Sequence, residues 1–319
     1  MHPVESGRYV IPTIALEEFV NVICSWIRTN ILGGLVPGKQ RVGKSVAIKY
    51  FAENHKQWLG RSVGVVSREV RYHRQTSEPM FFSDLLESLG FPSDKRRLPD
   101  VRNLLIGRLV QASASAESKK IVIFLDESQL LDDHMFKLLI GVHNQLVSQY
   151  EISVLWVLVG QPELEGYVAT YVAQGAGQVI GRFMTDTYVF QPLSEINDFQ
   201  KALECYDREL RHPKDGASYT EHFAPEAVAR GWSLAAQSTL IWNEVDLART
   251  EAGLPTSNGM TMQGFTTLMN YILRRYLPAM TPSTGLTSMM VRESILMTNC
   301  LIFEQQEALL TINRNHGPK

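Results

Sequence analysis

Apolar residues along this chain follow two different rules. In the N-terminal part, short runs that are apolar at almost every position recur between stretches with helical spacing. Ile31–Val36 is one run, closed by Pro37 and Gly38, and Ser62–Val66 is a second. Ile121–Leu125 (IVIFL) is apolar throughout, and Ile152–Val159 is interrupted only by Ser153. Runs of this length without alternation fit strands covered on both faces, as in a parallel sheet. Tyr188–Phe190 predicts a last short strand, closed by Gln191, Pro192 and Leu193. Between the runs, apolar spacing of three and four predicts helices over 14–30 (Leu16, Phe19, Val20, Ile23, Trp26, Ile27), 45–54, 81–89 closed by Gly90, 101–112 and 135–149. Strands alternating with helices imply right-handed crossovers into one sheet.

From about Ser194 the strand signal stops. Helical patterns cover 197–211, 225–250, 261–277 and 287–310, and no internal repeat is present. The expected organisation is a helical segment over 1–30, an α/β core over 31–193 and an all-helical region over 194–319. The length of 319 residues accommodates one sizeable α/β domain and a smaller one.

Composition narrows the class. The formal charge of −2 rules out a global basic field, so any polyanion site has to be a local patch. Cys24, Cys205 and Cys300 are few and far apart, which fits reduced thiols and offers no metal-ligand spacing. No uncharged run is long enough to span a bilayer, and the N-terminus has no basic region followed by an apolar stretch. The expected location is the cytoplasm, without membrane attachment.

The chemistry concentrates in two places. Gly38-Lys39-Gln40-Arg41-Val42-Gly43-Lys44-Ser45 fits the phosphate-loop pattern, between an apolar strand and a helix-forming run. Its glycines let the backbone curl around an anion, the following helix presents its positive end, Lys44 reaches the β- and γ-phosphates, and the Ser45 hydroxyl suits Mg²⁺. Gly38, Gly43, Lys44, Ser45 and Val46 are the expected ATP contacts. The second place is the end of IVIFL, where Asp126 would hold Mg²⁺ together with Ser45, and Glu127 would polarise the attacking water. The joint reading is a Mg²⁺-dependent ATPase.

Other residues have two readings. Gln161, in Gly160-Gln161-Pro162-Glu163, is a sensor of the γ-phosphate or a plain turn residue. Arg182 is an arginine finger acting on a neighbouring subunit or an ordinary surface arginine. Arg274 or Arg275 is a second sensor in cis or part of a solvated helix face. The basic stretch with Arg71, Tyr72 and Arg74, and the loop Lys95-Arg96-Arg97, are candidate contacts to DNA phosphates or simply solvated loops.

The order of these motifs resembles the AAA+ superfamily: Walker A, Walker B with an adjacent Glu, a sensor position, an arginine before a final strand, and a helical lid. Within it the chain is similar to the TniB/TnsC helper ATPases of transposons and the related ExeA group. The segments that carry this are PGKQRVGKS followed by AIKYF, SEPMFFSDLLESLGFP, LDESQLL, LVGQPEL, and GRF before FQPL. The chain departs from the usual form at Gln40, Arg41 and Ser128. The resemblance covers about residues 30–195. It implies a three-layer P-loop NTPase domain with a parallel sheet and a helical lid, assembly as a ring or filament on double-stranded DNA, and partnership with a transposase and a target selector. The alternatives are an ExeA-like secretion or envelope ATPase and a STAND-like signalling ATPase.

Overall fold

The computed structural model describes all residues except 74–76, 88–97, 117, 256–258, 281–284 and 316–319; for 98–100 and 310–315 it describes only the backbone. The chain divides into two compact units. One comprises Glu18–Lys39 and Lys44–Phe190, the other Met1–Glu17, Gln40–Gly43 and Gln191–Lys319.

Five parallel strands form the first unit's sheet: β1 (Gly33–Pro37), β2 (Gly64–Glu69), β3 (Lys120–Asp126), β4 (Ser153–Gly160) and β5 (Asp186–Thr187), in the order β2-β3-β4-β1-β5. A single turn, α1 (Pro3–Ser6), precedes α2 (Ile14–Thr29). Then come α3 (Lys44–Leu59), α4 (Glu78–Glu87), α5 (Leu98–Ala114), α6 (Asp133–Tyr150), α7 (Tyr167–Ala173) and α8 (Gly177–Phe183). The uninterrupted apolar runs are the central strands, as their pattern required. Every residue of β1 is buried, and β4 is buried from Val154 onward. Asp132 caps α6, accepting from Met135 N at 2.8 Å, and Glu151 in the left-handed region ends it.

The last strand differs from the expected 188–190. Its ladder lies at Asp186–Thr187, although Tyr188 N still donates to Leu35 O and Phe190 N to Pro37 O. In a parallel pair the intervening bond, to Tyr188 O, would come from residue 37. That residue is proline and has no N–H, so regular pairing stops there.

The second unit contains α9 (Ile196–Arg208), α10 (Tyr219–Phe223), α11 (Pro225–Val228), α12 (Ser238–Glu251), α13 (Met262–Arg275), α14 (Ser288–Thr298) and α15 (Ile302–Asn315). Two long helices expected here are each broken. The 225–250 stretch contains α11 and α12, separated by Gly231 at φ 89° and by a turn whose Leu234 and Ala235 amides donate to the Asp207 carboxylate. The 287–310 stretch breaks at Asn299, φ 47°, a residue that tolerates the left-handed region. The core of this unit gathers Phe199, Tyr206, Ile241, Phe265, Leu268 and Ile272, all fully buried. Arg249, also fully buried, is clamped by Glu304 at 2.8 and 3.2 Å and by Asp246 at 2.8 Å. All three cysteines are buried and free. Among the described residues, no helix is long and apolar enough to cross a membrane.

Candidate functional site

Strand order decides which side chains meet. β4 lies between β1 and β3, so the carboxyl ends of these strands open beside one another. Such crevices are where open α/β sheets bind ligands. β1 delivers Gly38, whose N–H donates to Gly160 O at 3.1 Å; β3 delivers Asp126 and Glu127; β4 delivers Gln161.

The loop turns at once into α3, which begins at Lys44. Gly43 takes φ 109°, a conformation that side chains resist, and Arg41 takes φ 63°. Lys44 is buried, with Nζ donating to Gly38 O at 2.5 Å and Lys39 O at 2.6 Å. Burial lowers its pKa, opposed by the nearby carboxylates of Asp126, Glu127 and Glu163. A desolvated ammonium held on neutral carbonyls suits an incoming anion.

Ser45 lies in the first turn of α3, and its hydroxyl donates to Asp126 Oδ2 at 2.6 Å; Val46 beside it is exposed. Asp126 Oδ1 accepts from Glu127 N at 3.0 Å. Two hard oxygen donors side by side fit Mg²⁺, which keeps several waters and needs few protein ligands. Among the described residues no cluster of three or more His, Cys, Asp or Glu forms a metal cage. Glu127 itself sits at φ 56°, and its Oε2 accepts from Gln129 Nε2 at 2.6 Å and, in a longer contact of 3.5 Å, from Gln161 Nε2. Ser128 is fully buried with its hydroxyl on Leu125 O at 2.6 Å, so this departure from the resembled group leaves no unsatisfied donor.

The family described as AAA domain matches residues 31–168. The α/β unit has the AAA+ P-loop fold. Among solved structures, the AAA domain and its helical continuation are similar to the Walker-type ATPase of Pyrococcus abyssi at 14% identity and a TM-score of 0.53, covering 94% of this chain and 76% of that one. The Aeropyrum pernix ORC2 protein, solved as ADPNP-ADP complexes, is similar at 14% identity and a TM-score of 0.43, with 91% and 88% covered. The Aeropyrum pernix ORC1 protein in complex with DNA is similar at 16% identity and 0.40, with 90% and 82% covered. The first likeness speaks to fold alone, and the other two carry no argument at those scores. No curated protein matches the sequence.

Other candidates lie elsewhere in the α/β unit. Arg182 is in the last turn of α8, not in a loop, and donates to Gln178 O at 3.2 Å and Asn144 Oδ1 at 3.3 Å. Arg71 follows β2 and pairs with Glu87 at 3.0 Å and Asp84 at 3.8 Å, so acidic side chains of α4 already offset its charge. Tyr72 is 74% exposed. Arg74, Lys95, Arg96 and Arg97 lie outside the described residues. Within the second unit, Arg274 and Arg275 are exposed at the end of α13, while Arg41 sits 5.2 Å from the Phe303 ring and its carbonyl accepts from Gln263 N. Sequence reasoning passed over Gln129. The only signal was its place in LDESQ, and only the turn after β3 reveals that it faces Glu127.

Proposed function

We propose that this chain binds ATP with Mg²⁺ and hydrolyses it, with Gly38, Gly43, Lys44, Ser45 and Val46 around the nucleotide, Ser45 and Asp126 toward the metal, and Glu127 as the base for water. Gln161 would sense the γ-phosphate, and Arg182 would act on a neighbouring subunit. The observation that carries the reading is Ser45 Oγ on Asp126 Oδ2 at 2.6 Å beside the buried Lys44 ammonium. A phosphate-loop hydroxyl and a strand-end carboxylate brought together from 81 residues apart form the two halves of one metal–phosphate site. Bound Mg²⁺ would supply charge neutralisation for the phosphates. Lys44 would hold them, and Glu127 would accept the proton of the attacking water.

The biological role we propose is an ATP-dependent DNA-binding regulator that assembles as a homo-oligomer on double-stranded DNA and recruits or activates a transposase. In it residues 31–193 are the nucleotide-binding core and 194–319 the helical lid and C-terminal region. Support comes from the paired LDESQ and GQPEL segments and from the exposed Tyr72, two positions before Arg74 in the sequence. The test is a salt titration of DNA binding with a non-hydrolysable ATP analogue. Binding should need the analogue, ignore sequence and fall steeply with salt, because phosphate neutralisation releases counterions. Protein that ignores DNA at low salt with nucleotide present overturns the DNA role and leaves the ATPase reading intact.

A further inference from the structure

Glu127 is held by a group that the ATP reading does not use. Gln129 lies in the short turn Ser128–Leu130 directly after β3, with Nε2 2.6 Å from Glu127 Oε2. Its other end, Oε1, accepts from Gln161 N at 3.1 Å, and its main-chain carbonyl accepts from the Tyr167 hydroxyl at 2.8 Å. Chemistry fixes which end of the amide points where. A backbone N–H can only donate, so the oxygen end faces Gln161 and the NH₂ end is left for the carboxylate.

The surroundings are built to this side chain. A Cβ at Gly160 would stand 2.4 Å from Gln129 Oε1 and 2.8 Å from Leu164 Cδ1, so any side chain there would displace the amide. Glu127 occupies φ 56°, a conformation that a residue other than glycine rarely adopts and keeps only if its neighbours over-determine it. Gln129 therefore ties the end of β3 to the end of β4 through one amide, and that amide ends on the carboxylate assigned to water.

We infer that Gln129 is a positioning residue for Glu127. It fixes Oε2 and so aims Oε1 at the water that attacks the γ-phosphate. This rests on Glu127 acting as the base, and a base works by aim as well as by basicity.

The experiment measures steady-state ATP hydrolysis and nucleotide affinity in the full chain for Gln129→Ala and Gln129→Glu, each alone and combined with Glu127→Gln. Gln129→Glu keeps the shape but cannot donate to an ionised carboxylate. Both single variants should lose roughly 10–100-fold in kcat, the scale for partners that orient a reacting group, with ATP affinity within about threefold of wild type. In the Glu127→Gln background neither should cost more than about twofold further, because a residue acting through Glu127 has nothing left to act on. Single variants with wild-type kcat, or losses that multiply in full with that of Glu127→Gln, overturn the inference. If Glu127→Gln itself keeps wild-type turnover, the assignment of the base fails, and Gln129 falls with it.

Discussion

Arg249 in the helical unit and Lys44 in the α/β unit are both buried cations, and the two are treated in opposite ways. Arg249 in the helical unit is fully enclosed and meets two carboxylates, with Glu304 gripping it in a fork and Asp246 adding a third bond. These partners raise its pKa against the burial that would lower it. Among the described residues, Lys44 in the α/β unit donates hydrogen bonds only to the carbonyls of Gly38 and Lys39, and its pKa is lowered by burial. A closed ion pair has no free valence for a ligand. A buried ammonium on neutral partners does. Neutral partners alone do not mark a ligand site, because Lys120 is also buried with its ammonium on Ile27 O and Asn30 Oδ1, both at 2.6 Å; what sets Lys44 apart is that it adjoins Ser45, whose hydroxyl meets Asp126.

The same substitution at both positions sharpens the contrast. Arg249→Met leaves Glu304, only 1% exposed, as a buried charge without its main partner, and should cost about 3–5 kcal/mol of stability. Lys44→Met removes a desolvated charge that has no carboxylate in bonding range, and should change stability by about 1 kcal/mol or less. Thermal and denaturant melts check both. Equal losses at the two positions would erase the distinction. A smaller effect belongs to the helical unit alone. Burial, then His222 and His212, hold the His2 imidazole down to about 4, against an ordinary 6.5. Between those values the unfolded chain takes up a proton that the folded chain refuses, so stability should fall as pH drops from 6.5 toward 4. His2→Gln should flatten that slope in a pH series of melts.

The two units were also unequally legible in the sequence. IVIFL and the run through Val159 are apolar at almost every position, and only a strand covered on both faces requires that, so β3 and β4 could be read directly. Lys44, Ser45, Asp126 and Glu127 follow because local motifs at strand ends specify them. The helical unit was less clear. Its helix ends depend on contacts distant in sequence, such as the Asp207 carboxylate taking the Leu234 and Ala235 amides 27 and 28 residues away, and periodicity cannot see these. Gln129 was hidden for a similar reason, because its meaning lies in Gln161, just past the end of β4. Arg71 was legible as a basic residue, but the acids on α4 that offset it became visible only once the helix was placed.

The most direct measurement is a titration of wild-type protein and Lys44→Met with a fluorescent ATP analogue, in the presence of magnesium and again with the magnesium chelated. The account predicts saturable binding by wild type that weakens on chelation, and no tight binding by a Lys44→Met protein that melts like wild type. Tight, magnesium-independent binding to both proteins would contradict it.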